Sequence, residues 1–152
     1  MTLHIHESLP GDPLWQRIAK LFARSVRYMN DPKDKGDYHF LAATDARGRF
    51  LGGSVIDIGP LRFGPLADTT AGFLENIEVL RPYRRHGVAT ALLRATLRFA
   101  WRRGCESVRW TVKYDNTAAI ALYRNAGCVF IPEEDPQARR PQRYYTVVAA
   151  GK

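Results

Sequence analysis

Residues 84–89, Arg-Arg-His-Gly-Val-Ala, have the composition of an anion-binding turn. Gly87 lacks a Cβ, so the backbone at that position can approach a ligand closely. The first N–H groups of a helix have no intrahelical partner and carry the positive end of the helix dipole. A turn of this kind at the start of a helix therefore favours a pyrophosphate. The residues predicted to form the site are Arg84, Arg85, His86, Gly87, Val88 and Ala89.

Two elements must position this turn, a strand before it and a helix after it. Residues 72–79 alternate large apolar and polar side chains, which predicts a strand. Residues 86–103 are rich in Ala, Leu and Arg, which predicts a helix. Gly104 is expected to follow the end of that helix. The turn is therefore a strand-to-helix junction.

Basic charge is concentrated in the same part of the chain. The sequence has 23 Lys and Arg against 15 Asp and Glu, a net charge of +8. Residues 81–103 hold seven arginines and no acid, and without them the net charge would be +1. A nucleic-acid-binding domain is expected to spread its charge over a face, and no helix-turn-helix or zinc pattern is present. The charge map thus favours a small phosphate ligand over nucleic acid. Arg94, Arg98 and Arg102 are predicted to form a solvated helix stripe.

The remaining patterns predict one α/β domain, residues 1–152, around a mixed central sheet. The predicted order is β-α-β-β-β-α-β-α-β-β. Strands are expected at residues 2–8, 38–44, 50–58, 72–79, 107–113, 128–131 and 143–149, and helices at 12–29, 86–103 and 117–126. Asp12 is predicted to cap the first helix, with Pro13 at its first position. Polar loops are expected at residues 30–37, 59–70 and 133–142.

Composition indicates a soluble cytoplasmic protein. The chain has 152 residues, 45% apolar and 25% charged, with no apolar run long enough to span a membrane and no signal peptide. Cys105 and Cys128 lack metal-ligand spacing and are expected to be reduced and buried. His4 and His6 are a weak metal pair without a third ligand, so no metal is predicted.

Two motifs in the expected order resemble the GNAT superfamily of acyl-CoA-dependent N-acyltransferases. Arg84-x-x-Gly87-x-Ala89 matches the pyrophosphate turn of that family. Asn116-x-x-Ala119-x-x-Leu122-Tyr123 resembles its second cofactor-binding helix. The resemblance is sharp over residues 72–131, where the chain looks most like bacterial ribosomal-protein N-terminal alanine acetyltransferases.

The resemblance implies acetyl-CoA as cosubstrate and an N-acetyltransferase activity toward a primary amine. Backbone N–H groups of residues 85–89 would hold the pyrophosphate. The backbone at Ile77 and Val79 would pair with the pantetheine arm, as an added strand does. Asn116 would either bond to that arm or cap its own helix, and Ala119 would lie against the cofactor.

The resemblance also implies the catalytic groups. Tyr123 would be the general acid that protonates the leaving thiolate, the alternative being a core aromatic. Glu75 would accept the proton of the amine, the alternatives being a water chain or a structural or substrate-binding carboxylate. Period 2 would place Glu75 on one face with Ile77 and Val79, whereas Glu78 would point to the other face. A backbone N–H near Val79 would stabilise the oxyanion.

One departure from the family pattern affects the mechanism. The alanine acetyltransferases carry a glutamate on the strand after the long helix, where this chain has Thr111. His39 is a weaker candidate for a proton relay and is more often structural. A non-catalytic acyl-CoA-binding regulatory module is therefore the alternative to an enzyme.

The acceptor and the oligomeric state are the least determined features. In the family the acceptor site is built by segments corresponding to residues 22–38 and 132–143, and Glu133, Glu134 and Asp135 either attract a cationic amine or form a solvated loop. Helix 86–103 carries two apolar sectors, of which one must face the sheet. The other would need cover from a neighbouring element or from a second subunit in a homodimer.

Overall fold

The computed structural model describes residues 2–62, 64–135 and 142–151. Its strands are β1 (Leu3–Ser8), β2 (Tyr38–Asp45), β3 (Phe50–Pro60), β4 (Thr70–Val79), β5 (Ser107–Lys113), β6 (Val129–Asp135) and β7 (Gln142–Ala150). Its α-helices are α1 (Trp15–Leu21), α2 (Ala23–Met29), α3 (Val88–Arg102) and α4 (Thr117–Asn125). A 3₁₀ turn, Arg81–Tyr83, lies between β4 and α3.

The strands form one mixed sheet in the order β1-β2-β3-β4-β5-β7-β6. Neighbouring strands are antiparallel except for β4 and β5, which run parallel because α3 carries the chain from one to the other. The predicted α/β class, with a mixed sheet flanked by helices, is confirmed. Gly104 follows α3 with φ +83°, the left-handed conformation that suits a residue after a helix end.

Helices cover both faces of the sheet. On one face α3 buries six residues along its length, Val88, Leu92, Leu93, Thr96, Phe99 and Ala100. Ser54 on β3 and Thr96 on α3 form a buried hydroxyl pair, 2.7 Å between their Oγ atoms, which satisfies both polar groups in the core. On the other face Ile18 and Phe22 pack with Phe40.

The first helix departs from the prediction. Residues 12–29 do not form one helix: α1 ends and α2 begins on either side of Phe22, whose backbone has φ −116° and ψ 42°. Phe22 is buried against Phe40, and no Gly or Pro marks the break in the sequence. Asp12 is not the N-cap, which is Leu14. The Asp12 carboxylate instead orders the turn before the helix, because it accepts hydrogen bonds from the N–H groups of Leu9 and Leu14.

Several strands extend beyond their predicted bounds because ladder pairing continues into residues with polar or loop-like side chains. β6 reaches Asp135 by pairing with β7, so residues 133–135 are not loop as predicted. The other predicted loop residues at 136–141, including Arg139 and Arg140, lie outside the described residues.

The two apolar sectors of α3 are both covered within the chain. Val88, Leu92 and Phe99 come from one sector and Leu93 and Ala100 from the other, and all five are buried. The remaining part of the second sector, Leu97 and Trp101, packs against the core cluster that contains β5 and α4 residues. Of the two kinds of cover that were expected for the second sector, a neighbouring element or a second subunit, the structure shows the first.

Candidate functional site

A cleft of about 1130 Å³ opens where β4 and β5 separate. The two strands pair at three positions, residues 71–73 with 107–109, and then diverge toward their C-terminal ends. The start of α3 and one side of α4 complete the walls. Because β5 turns away, the edge of β4 that does not pair with β3 faces this cleft from residue 74 onward.

The strand-to-helix turn has the geometry of an anion cradle. Arg85 (φ +66°) and Gly87 (φ +77°) are both left-handed, and they lie on either side of His86. The first intrahelical bond is donated by Ala91 to the carbonyl of Gly87, so the N–H groups of residues 88–90 have no partner within the helix. Among the described residues no side chain caps α3. Successive N–H groups of such a turn point into one concavity and favour an anion.

Space beside the turn is open. A Cβ built at Gly87 would meet nothing within 4 Å, which leaves the backbone accessible on that side. Arg85, Gly87, Val88 and Ala89 all line the cleft, whereas His86 is not among its lining residues. Of the predicted turn residues 84–89, the histidine is therefore the one that lies outside the cleft lining.

Arg84 lines the cleft but its guanidinium is held by β4. Its Nε donates to the carbonyl of Val79 at 3.0 Å, and its Nη2 lies 3.2 Å from Oε1 of Glu78. This side chain therefore ties the start of α3 to the end of β4. A contact between Arg84 and a bound phosphate stays a prediction, and it would require these bonds to rearrange.

The predicted alignment of Glu75 with Ile77 and Val79 is wrong. β3 and β4 shift register between Val55 and Ile56, which pair with Asn76 and Leu74, so Glu75 is the extra residue of a β-bulge. Ile77 and Val79 pack toward α3 with the cluster that contains Leu92.

Glu75 lies in an acidic environment on the other face. Partial burial raises the pKa of its carboxyl, and the nearby carboxylates of Asp57 and Asp34 raise it further, against a smaller opposing effect of Arg24. Asp57 itself has a raised pKa, mainly through burial. Glu75 also lines the cleft. The bulge therefore places a carboxyl of raised pKa between the cleft and the acidic residues Asp34 and Asp57.

Tyr123 is on α4 and lines the cleft opposite β4. Burial raises the pKa of its phenol, so the hydroxyl carries its proton at neutral pH. Its ring meets that of Trp110 edge to face, with centroids 5.1 Å apart and planes at 75°. The side chain is thus a packed aromatic and also a cleft-facing proton donor.

Asn116 caps α4, which is one of the two roles expected for it from the sequence. Its Oδ1 accepts the N–H of Ala119 at 3.2 Å. Both residues line the cleft, as does Leu122. The cap uses the oxygen of the amide and leaves its nitrogen as a donor.

Several cleft residues were not among the candidates predicted from the sequence, including two on β5 and one in the 3₁₀ turn. Trp110 and Arg109 lie on β5 and Tyr83 lies in the 3₁₀ turn. Trp110 Nε1 and Arg109 Nε are buried and have no hydrogen-bond partner within the part of the chain that the structure describes. The sequence does not reveal these unpaired nitrogens, because an aromatic or long side chain on a strand is ordinarily predicted to pack in the core. Thr111 also lines the cleft, at the position where a family glutamate was expected.

His39 lies away from the cleft. Its Nδ1 is 2.9 Å from Glu7 Oε2 and its Nε2 is 3.0 Å from Asp37 Oδ1, and its ring packs against Phe99. The residue joins β1, β2 and α3, which is the structural role that the sequence favoured. The two cysteines are free thiols, and Cys105 is buried, but Cys128 is half-buried rather than buried as expected.

No group of three or more His, Cys, Asp or Glu side chains in residues 2–62, 64–135 and 142–151 is placed to hold a metal ion. Within the same ranges no helix combines the length and apolar character that crossing a membrane requires.

Known proteins are similar to this chain in sequence and in fold. The chain is 28% identical over 99 residues to the N-alpha-acetyltransferase MAK3 of Arabidopsis thaliana, which covers 65% of this chain and 46% of that protein. It therefore spans about half the length of this curated relative.

Solved structures match over nearly all of the chain. One is the NatC complex bound to Gag peptide and CoA, with TM-score 0.76, 17% identity and 100% of both chains covered. Another is the ribosomal-protein-S18-alanine N-acetyltransferase of Escherichia coli, with TM-score 0.69, 20% identity and coverage of 98% of this chain and 94% of that one. At these identities the likeness shows a common fold. The model of the acetyltransferase (GNAT) family matches residues 6–128, which is most of the chain and includes β4, the turn, α3 and α4. The chain belongs to the GNAT family of acetyltransferases.

Proposed function

We propose that this protein is an N-acetyltransferase that moves the acetyl group of acetyl-CoA to a primary amine. One observation carries the proposal. The uncapped start of α3, with left-handed residues Arg85 and Gly87, opens into the same cleft as the phenol of Tyr123. A site for a pyrophosphate and a proton donor for a leaving thiolate thus share one cavity.

The N–H groups at the start of α3 hold the pyrophosphate of acetyl-CoA. The edge of β4 that does not pair with β3, at Ile77 and Val79, pairs with the pantetheine arm, which leads the thioester from the turn toward α4. Because Arg84 Nε already donates to the Val79 carbonyl, the N–H of Val79 is the group left for this pairing. The NatC structure contains CoA, and its likeness to this chain supports the same path. Asn116 and Ala119 line the wall that this arm passes.

Glu75 accepts a proton from the amine, and Tyr123 donates a proton to the leaving sulfur. Glu75, or water held by it, removes a proton from the ammonium group, and the neutral amine nitrogen then attacks the thioester carbon. The nitrogen loses its second proton to solvent as the tetrahedral intermediate collapses. The C–S bond breaks and the Tyr123 hydroxyl gives its proton to the sulfur. The raised pKa of each group suits its task, because the phenol stays protonated and the carboxyl lies nearer the operating pH than an ordinary glutamate.

The acceptor is a cationic amine. Asp34, Asp57 and Glu75 act on one another electrostatically beside the cleft, which favours a positive charge there. The Gag peptide of the NatC structure and the protein substrate named for the Escherichia coli enzyme support a peptide N-terminus over a small molecule.

A non-catalytic acyl-CoA-binding module is the second candidate. The observation that favours it is Thr111, an exposed hydroxyl residue in the cleft at the position where the alanine acetyltransferases carry a glutamate. Such a module would bind acetyl-CoA and leave it unconsumed.

The deciding experiment is a release assay for the CoA thiol with purified protein and acetyl-CoA. The amines would be short peptides with free N-termini, the same peptides with blocked N-termini and an internal lysine, a polyamine and an aminoglycoside. Turnover with the free peptides alone supports the proposed substrate class. Binding of acetyl-CoA without turnover of any amine would instead support the regulatory module.

We further propose that residues 1–152 are one domain acting in the cytoplasm. A homodimer is a weaker proposal, since both sectors of α3 are covered. Apolar residues that remain exposed on the outer strand β6 are Val129 and Ile131. Sedimentation at high protein concentration measures the state directly.

A further inference from the structure

Trp110 presents an unused hydrogen-bond donor next to the proposed general acid. The residue is only 7% exposed, and Nε1 finds no acceptor within the described residues. An indole N–H is a donor only, and leaving one buried without an acceptor is costly. A native core normally satisfies such a group, so its isolation in a cleft wall indicates an acceptor that arrives or turns toward it.

Tyr123, whose ring lies against that of Trp110, carries a hydroxyl oxygen that can accept such a bond. The two rings meet edge to face at a centroid distance of 5.1 Å, and both side chains line the cleft. We infer that Trp110 is a positioning residue for catalysis: with acetyl-CoA bound, its Nε1–H donates to Tyr123 Oη and leaves the hydroxyl proton directed at the sulfur. This inference rests on the proposed function.

The bond would act on both the direction and the acidity of the phenol. A hydroxyl that accepts a bond from Trp110 keeps its own proton for a second partner. When the Tyr123 O–H bond breaks and an S–H bond forms on the departing thiolate, the same donor stabilises the phenolate. The phenolate regains a proton from solvent after CoA leaves. Burial raises the pKa of Tyr123, and the Trp110 side chain lowers this pKa already in this structure, where it makes no hydrogen bond to the phenol, and so partly offsets the effect of burial.

The test is the variant Trp110→Phe, which keeps an aromatic ring against Tyr123 and removes the N–H. We expect kcat to fall about tenfold, the effect of one hydrogen bond to a charged group. Kd for acetyl-CoA should rise by a smaller factor, because the bond that forms on binding is to the neutral phenol and is weaker than the bond to the phenolate. In a Tyr123→Phe background the same change should have no further effect on kcat, because the acceptor is gone. A purely structural role would lower kcat in both backgrounds, and that result would overturn the inference.

Trp101→Phe is the matched control. Trp101 packs against the same core cluster from α3 and does not line the cleft, so its replacement should leave kcat unchanged. If Trp110→Phe fails to fold, β-(3-benzothienyl)alanine at position 110 preserves the ring shape and lacks the donor.

A second readout does not depend on turnover. In ¹H–¹⁵N spectra of the protein with acetyl-CoA, the Trp110 indole signal should move upfield in Tyr123→Phe, since the proton loses its acceptor. Signals of Trp15 and Trp101 should stay in place. An unmoved Trp110 signal overturns the inference even if the protein is active. A moved signal without turnover of any amine would support the bond while the proposed enzyme activity fails.

Discussion

At the residue scale, Tyr123 combines the features of a core aromatic with those of an acid. Its ring packs on Trp110, yet the residue lines the cleft and burial raises the pKa of its phenol. Position alone therefore does not decide between the two readings. Removal of the hydroxyl with the ring retained does.

We expect Tyr123→Phe to lower kcat by about 100-fold or more, the usual contribution of general acid catalysis. Kd for acetyl-CoA should stay the same because the ring still fills its place. Steady-state kinetics and calorimetric titration measure the two quantities. Tyr114→Phe is the control, since Tyr114 stacks on Tyr145 and does not line the cleft. Unchanged kcat with normal binding would remove Tyr123 from the mechanism.

The role proposed for Glu75 predicts how kcat depends on pH. A general base works only when deprotonated, so kcat should fall as pH decreases through the raised pKa of Glu75. Asp57 is one of the charges that raise this pKa. Asp57→Asn should therefore move the acid limb of the kcat profile to lower pH, and its amide oxygen can still accept the N–H of Asp37.

Asp31→Asn is the control for that profile. Asp31 lies in the same loop, where its carboxylate accepts the N–H of Lys33. Its replacement should leave the acid limb in place. Glu75→Gln should abolish the limb together with most of the activity. An acid limb that persists in Glu75→Gln would assign the base to water or to another group.

At the element scale, the turn between β4 and α3 joins stability to binding. Gly87 has φ +77°, where a residue with a Cβ is strained by about 1–2 kcal/mol. Gly87→Ala should lower the free energy of unfolding by about this amount. It should also weaken acetyl-CoA binding by about tenfold or more, because the Cβ occupies the open side of the cradle.

Gly104→Ala separates these two effects. Gly104 lies at the other end of α3 with φ +83°, and a Cβ there would also meet nothing within 4 Å. Denaturant unfolding should show a similar loss of stability in both variants. Titration with acetyl-CoA should show weakened binding only for Gly87→Ala. Equal affinities would mean that the turn does not contact the pyrophosphate.

The same elements show what the sequence could and could not predict. The order of strands and helices followed from apolar periodicity and Gly positions, and the motif of residues 84–89 lies at the cleft as expected. The bulge at Glu75 could not be foreseen, since counting by two assumes regular pairing and register depends on β3. The break at Phe22 is set by packing against Phe40 and has no local signal. The burial of the Trp110 N–H without an acceptor depends on the tertiary structure, so the sequence alone does not reveal it.

At the scale of the whole molecule, the segment that carries the excess positive charge also forms part of the cleft. Residues 81–103 carry nearly the whole net charge of +8, and their N-terminal part forms the turn at the cleft. Salt bridges within the described residues use Arg84 and Arg103 of this segment. The excess charge raises the local concentration of an anionic ligand over the cleft, so binding of acetyl-CoA should weaken as ionic strength increases.

Thermal unfolding with and without acetyl-CoA tests the molecule as a whole. A ligand at about 100 times its Kd stabilises the folded state by about 2.7 kcal/mol. For a chain of 152 residues this corresponds to a rise in Tm of about 5–10 °C. S-acetylpantetheine, which lacks the pyrophosphate and the nucleotide, should give a much smaller shift at the same concentration, because the cradle at α3 stays empty. Equal shifts would place binding in the pantetheine channel alone. No shift with acetyl-CoA in folded protein would remove the basis for the proposed acetyl transfer.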